Sequence, residues 1–205
     1  FATMLLDVAG ASAFLAMVFA MVVAIILGMG VPTTAAYAIA AAVVAPGLIR
    51  IGVPPLTAHM FIFYFAILSA ITPPVALASF AAASMARADM WKTSIIALKL
   101  GLATFIVPYM FWISPALLAQ GPLIDIAQAF LTAVLGIYLL ACGTEGWMQN
   151  GPLPPVLRLV SVAGGVGPVA PELYTDIAGL AATGLLLFRQ HRLYPQESLG
   201  RPLPS

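Results

Sequence analysis

Between Asp7 and Arg50, and again between Arg50 and Arg87, the sequence has no charged side chain. A soluble domain carries roughly a quarter charged residues, so a chain with two such gaps cannot clothe itself in a water-facing surface. The deficit is general: charged residues make up 7% and hydrophobic residues 62% of the 205 positions. Mean hydropathy is +1.07. A soluble domain with one anchor is thereby excluded. The fold class expected is an all-α integral membrane protein, a polytopic helical bundle, because a helix satisfies its own backbone in lipid. A net charge of +1 gives no reason to expect nucleic acid as a partner. The single cysteine, Cys142, permits neither an internal disulfide nor a zinc site. The chain starts at Phe1 with no signal-peptide pattern, and the expectation is a piece of a longer protein.

Crossing a hydrocarbon core of about 30 Å takes about 20 apolar residues. The first apolar run, Ala11 to Leu27, is slightly short for that, and a second, Ala35 to Ile49, follows. Gly28, Met29, Gly30, Val31, Pro32, Thr33 and Thr34 lie between them. Two readings compete: two short crossings joined by an outside loop, or a re-entrant hairpin over 11–49 with its tip inside the membrane. An outside loop collects Lys, Glu or Asn. This one holds only Gly, Pro, Thr and apolar residues, which favours the hairpin.

The next uncharged segment, 56–86, carries Ser69-Ala70-Ile71-Thr72-Pro73-Pro74 at its middle. A proline lacks the backbone donor, clashes with the preceding turn and pushes the residue before it out of the helical region. A break is therefore expected near Ile71 to Pro74. The halves Leu56–Ala70 and Val75–Ala86 are too short to cross alone and together make one discontinuous transmembrane helix. Residues 1–92 then form one unit. A span from Thr93 to Leu118 follows, kinked at Pro108 and Pro115, with Tyr109 and Trp112 suited to an aromatic belt. Residues 121–188 form a C-terminal transmembrane extension: a span over Ile124–Cys142, a polar stretch from Gly143 to Pro155, then short apolar segments at Val156–Ala170 and Leu173–Phe188. The tail, 189–205, is polar and proline-rich. The positive-inside rule places Arg87, Lys92 and the Arg189, His191, Arg192 cluster in the cytoplasm, which requires an even number of crossings between them. Arg50 then falls at the outer face, against the rule.

Breaks in a membrane helix leave amides and carbonyls without partners, which is costly unless protein or ions satisfy them. In secondary transporters such unwound carbonyls coordinate cations, and half-helix N-termini meet anionic groups. Gly28 and Gly30 let the backbone bend, Pro32 is suited to start the returning helix, and Thr33, Thr34, Ser69 and Thr72 offer oxygen. The tip and the Thr72-Pro73-Pro74 break are expected to meet at mid-membrane. A plainer reading stands beside this one: Gly-Pro-Thr clusters mark turns, and proline kinks occur in purely structural helices.

The motifs Gly28-Met29-Gly30-Val31-Pro32-Thr33-Thr34-Ala35-Ala36-Tyr37, Gly52-Val53-Pro54-Pro55 and Ile71-Thr72-Pro73-Pro74-Val75, in this order, resemble the large permease subunit of TRAP transporters. More narrowly, they resemble the fused permeases that work with TAXI-type periplasmic binding proteins. The resemblance covers residues 10–120. It implies an elevator-type secondary transporter of the bacterial inner membrane, driven by Na⁺ or H⁺ and importing small organic acids delivered by a periplasmic solute-binding protein. It further implies ion or substrate binding at Gly28, Gly30, Val31, Pro32, Thr33, Thr34, Ser69, Thr72, Pro73 and Pro74, with Na⁺ as the metal candidate there. A pseudo-symmetric first half would lie upstream in the same permease.

Other polar residues carry less. His59 is expected at the interface, Asp125 as a solvated cap, Glu145 and Arg158 as a pair, and Tyr37 and Tyr64 as packing aromatics. Ser, His and acidic residues show no triad grouping, no spacing suits a metal enzyme, and no glycine-rich phosphate loop precedes a lysine. The chain is thus expected not to be an enzyme and to need no organic cofactor. The alternative to a permease is a structural or assembly subunit whose broken helices only pack against a partner.

Overall fold

The computed structural model describes residues 12–148 and 151–166, with Gly10 and Gly184 besides. The chain divides into two compact units, Phe1–Leu118 and Ala119–Ser205.

The first unit opens with two helices, α1 (Ala13–Gly28) and α2 (Thr33–Arg50), joined by four residues. At 1.5 Å per residue their 16 and 18 residues extend ~24 and ~27 Å. By length and composition α2 can cross a membrane; α1 is shorter. Helix α3 (Pro55–Leu68) follows, with Pro55 in its first turn, where a missing N–H costs nothing. The connection is closed by the Val53 N–H on the Leu48 carbonyl at 3.1 Å.

These three helices share one core. Ala16, Ala20 and Ala24 recur every fourth residue along α1 and are fully buried. Small side chains at that spacing let backbones approach closely, the arrangement that favours helix association in lipid. Opposite them lie Ala40, Val44 and Leu48 of α2 and Ala58, Phe61, Ile62 and Phe65 of α3. The outward residues of α1, among them Phe14, Leu15, Val22 and Ile26, are also apolar and exposed. A helix apolar all round is what a lipid-facing element requires.

After α3 the chain tightens into a 3₁₀ turn, Ser69–Ile71, and leaves helical geometry altogether before α4 (Leu77–Met85) begins. The break expected from the prolines is therefore present, and its physical cause is visible. Thr72, before Pro73, is extended at φ −92°, ψ 120°, as the proline ring demands. Its N–H takes the Ser69 carbonyl at 3.2 Å. The Pro73–Pro74 peptide is cis.

Helix α5 (Met90–Gly101) is capped by Asp89, whose side chain accepts the Lys92 N–H at 2.7 Å. The span expected to begin at Thr93 thus starts a turn earlier, at a conventional acidic cap. It is also less continuous than the sequence suggested. A 3₁₀ turn, Leu102–Phe105, separates α5 from α6 (Val107–Ile113), and a second, Pro115–Leu118, ends the unit. The irregularity precedes Pro108 by a turn, because the ring of a proline obstructs the carbonyl four residues back, here Thr104. Tyr109, half-buried, packs edge-on against Phe61 at 5.3 Å and puts its hydroxyl on the Met21 sulfur at 3.3 Å.

In the second unit α7 (Leu123–Glu145) runs 23 residues and is long and apolar enough to cross a membrane. It extends past Cys142, so the polar stretch expected from Gly143 begins as helix. Gly146, at φ +72°, ends α7 with its N–H on the Cys142 carbonyl. Two-residue strands β1 (Trp147–Met148) and β2 (Gly151–Pro152) pair antiparallel, Trp147 opposite Pro152. Helix α8 (Pro155–Val166) then returns along α7. Arg158 donates to the Gly143 and Thr144 carbonyls at 3.2 and 3.1 Å, placing a cation at the negative end of α7. Apart from Gly184, the segment Leu173–Phe188 and the tail 189–205 lie outside the described residues.

Glycines set the α7–α8 distance. A Cβ on Gly165 would stand 2.7 Å from the Gly136 carbonyl oxygen and 2.8 Å from the Leu140 nitrogen. Both are backbone atoms that cannot turn aside, so Gly165→Ala is expected to lower stability by about 1–3 kcal/mol. Leu159, 76% exposed, provides the control: Leu159→Ala should leave the midpoint of a detergent-solubilised melting curve unchanged, while Gly165→Ala lowers it.

Candidate functional site

Both interruptions lie in the first unit, and they touch. A Cβ on Gly28, the last residue of α1, would fall 2.6 Å from the Ser69 hydroxyl and 3.0 Å from its Cβ. It would also stand 3.2 Å from the Ala66 carbonyl oxygen. Only glycine permits α1 to end this close to the last turn of α3. Two residues on, Gly30 makes the tip at φ +81°, a backbone region that side chains rarely adopt. A Cβ there would lie 3.6 Å from the Val75 side chain, which comes from the far side of the break. The hairpin end therefore rests on both margins of the interruption.

The hydroxyls at the break are already committed as donors. Ser69, 2% exposed, donates to the Ala66 carbonyl at 2.6 Å, and Thr72 donates to the Leu68 carbonyl at 2.7 Å. These bonds occupy carbonyls that the end of α3 would otherwise leave open. A hydroxyl that donates its hydrogen keeps two lone pairs, so Ser69, buried beside Gly28, and half-buried Thr72 both retain acceptor capacity. Such oxygen, with backbone carbonyls, suits a hard monovalent or divalent cation. Beyond the break, Ala76 takes the left-handed conformation, φ +36° and ψ 51°, as the N-cap of α4. Its carbonyl accepts the Phe80 N–H at 2.9 Å, and the amides of the first turn of α4 lie at the positive end of that helix. The residues from 28 to 34 and from 69 to 76 include no ionisable side chain.

Of the residues singled out from the sequence, Gly28, Gly30, Ser69 and Val75 are brought into contact or near-contact, and Thr72 holds the carbonyl end of α3. Pro32 sits one position earlier than expected. It is the N-cap of α2, at φ −58° and ψ 147°, and Thr33 is the first helical residue. Pro32, Thr33 and Thr34 are exposed, as is Pro74, while Val31 and Pro73 are half-buried. Sequence reasoning missed Ala76, because nothing in an alanine announces positive φ. It also missed the partner of His59, whose half-buried imidazole is joined through Nδ1 to the Tyr37 hydroxyl at 3.0 Å.

A family model described as "Tripartite ATP-independent periplasmic transporter, DctM component" matches residues 1–126, which is more than half of the chain and includes both interruptions. No curated protein and no solved structure matches.

The contact at Gly28 can be tested by compensation. Gly28→Ala is expected to destabilise the first unit by about 1–3 kcal/mol through overpacking. Ser69→Gly removes the two nearest obstructing atoms, so Gly28→Ala with Ser69→Gly should recover most of the loss. A double-mutant cycle on thermal stability reads the coupling; strict additivity would contradict the packing described.

Proposed function

The chain belongs to the DctM component family of tripartite ATP-independent periplasmic transporters, and on that premise we propose that it is the cation-coupled part of a permease importing small organic acids. In this reading α1 and α2 form a re-entrant hairpin whose tip meets the discontinuous helix α3–α4 within the bacterial inner membrane. A Na⁺ or H⁺ gradient drives the cycle. A periplasmic solute-binding protein of the TAXI type delivers the acid, and an upstream half of the same permease supplies a matching hairpin.

The observation that carries the reading is the seating of the hairpin tip on the break, Gly28 against Ser69 and Gly30 facing Val75. Two irregular backbone segments brought together within a membrane core cost free energy that packing alone does not require. Transporters place coupling ions and substrates at such junctions. The oxygen set favours a cation: the Ser69 and Thr72 hydroxyls and the tip carbonyls carry partial negative charge, with no fixed charge nearby. The start of α4 favours the other ligand, since free amides at a helix N-terminus attract a carboxylate. A cation between the tip and the break would satisfy oxygens that lipid cannot, and it would tie hairpin closure to ion binding.

Thr72 tests the proposal most directly. In proteoliposomes holding the complete permease with its binding protein, Thr72→Ser keeps the oxygen and should retain most uptake. Thr72→Ala should raise the half-saturating cation concentration about tenfold, equivalent to about 1.4 kcal/mol. Unchanged uptake with unchanged cation dependence in Thr72→Ala would remove the coupling role and leave the break a packing device, as an assembly subunit would have it.

A further inference from the structure

The tip of the hairpin is weakly held by its own helix. Helix α2 begins behind Pro32, and no side chain caps it. Preferred N-caps supply an oxygen to the first free amides, and proline cannot. Its first helical hydrogen bond runs from the Ala36 N–H to the Pro32 carbonyl at 2.8 Å. Whatever keeps this first turn in place must act from outside α2.

Tyr37 is placed to do so. It lies one turn after Thr33, hence on the same face of α2. Its ring meets Phe63 of α3 edge-on at 5.6 Å and 86°, and the His59 ring at 6.2 Å and 65°. Phe63 and His59 are themselves one turn apart on α3. The phenol thus spans two successive turns of α3, and its hydroxyl ends on His59 Nδ1 at 3.0 Å. The opposite side of α3 is occupied differently, by Phe61 and Phe65 against Tyr109. Those rings also pack in the core shared with α1 and α2, whereas the polar bond joins α2 to α3 directly.

We propose that Tyr37 and His59 are positioning residues: their hydrogen bond clamps the first turn of α2 to α3 and so keeps the hairpin tip seated on the Ser69–Ala76 break. The ring contacts hold Tyr37 near α3, but edge-on aromatic packing tolerates sliding along a helix. A hydrogen bond does not, because it weakens steeply with angle and distance. Fixing the axial position of Tyr37 fixes Thr33 and Thr34 one turn before it, and with them the Gly30 tip. The direction of the proton is immaterial to this role. A neutral imidazole accepts from or donates to a phenol according to its tautomer, and either arrangement sets the same spacing. The inference stands apart from the identity of the coupling ion, since it concerns where the tip sits rather than what it binds.

Hydrogen exchange in the complete permease, reconstituted in nanodiscs, reads the clamp through the amides of Ala36 to Ala41. Tyr37→Phe retains both ring contacts and the full side-chain volume, and loses the hydroxyl only. Exchange of these amides should accelerate about fivefold, the factor that one ordinary hydrogen bond supplies, while amides of α7 remain as before. His59→Leu should match Tyr37→Phe. His59→Asn restores a polar atom close to the Nδ1 position, able to donate or accept, and should return exchange to within about twofold of the parent. The combination Tyr37→Phe with His59→Leu should exchange no faster than either alone, because both remove one bond. Unchanged exchange in Tyr37→Phe overturns the proposal, and so does a His59→Asn protein that exchanges as fast as His59→Leu. Should His59→Leu fail to fold, Tyr37→Phe against the parent remains decisive.

Discussion

The constraint on which the first unit depends is that a backbone amide or carbonyl in hydrocarbon must find a partner within the protein. Helices α1, α2 and α3 meet it along their lengths. At the break between α3 and α4 they cannot, since Pro73 and Pro74 bring no N–H to the ladder. The chain's answer is local and specific. Ser69 and Thr72 fold back onto the Ala66 and Leu68 carbonyls, and Thr72 N–H takes the Ser69 carbonyl. Side chains that are mediocre helix formers because they compete for the backbone become the right residues where the helix has to stop. The hairpin tip then covers the junction, and covering it requires Gly28, because any Cβ would strike Ser69.

This chain of necessity explains what the sequence disclosed and what it withheld. The absence of charge from Asp7 to Arg50 and from Arg50 to Arg87 was enough for the class, and Pro73-Pro74 was enough for the break. Proline acts through covalent geometry that no tertiary context can cancel, so its consequence is readable wherever it stands. The proline signal was sharper than its reading in one respect. At Pro108 the disturbance lies at Leu102–Phe105, on the residues whose carbonyls the ring obstructs, rather than at the proline itself. The tip was legible for the same reason as the break, since Gly28, Gly30 and Pro32 each restrict or release φ in known ways.

What depends on partners distant in sequence was not legible. Tyr37 and His59 are twenty-two positions apart, and neither residue type reveals its neighbour. Tyr109 packs at the margin of the core beside Phe61 and Phe65 of α3, contacts that its own stretch of sequence does not announce. Ala76 is the extreme case. Left-handed backbone in an alanine costs roughly 1–2 kcal/mol, and such a cost is met only where the surroundings over-determine the turn. Here the extended Thr72 on one side and the start of α4 on the other leave the chain no other path. The second unit repeats the lesson with glycine: a Cβ on Gly143 would stand 3.0 Å from the Arg158 carbonyl oxygen, as one on Gly165 would stand 2.7 Å from that of Gly136, and neither approach is announced by the sequence.

Positive φ at Ala76 also bears on function. Strain held at a junction is tolerable when the junction has two uses, and the same five residues, Thr72 to Ala76, end one half-helix and begin another. The carbonyl end of α3 and the amide end of α4 are thereby brought to one place with opposite partial charges. A continuous helix would have cancelled these dipole ends within its own ladder, leaving nothing for a ligand to recognise. Interrupted, they offer sites of opposite sign without burying a single ionised side chain, and buried ions are far costlier than buried dipoles. On the proposed function, a permease has to release what it binds, and a site made of dipoles and hydroxyls would hold an ion less tightly than a carboxylate would. The uncharged tip and the uncharged break, part of the charge-free stretches that mark the chain as a membrane protein, would then be the same property that lets such a site turn over.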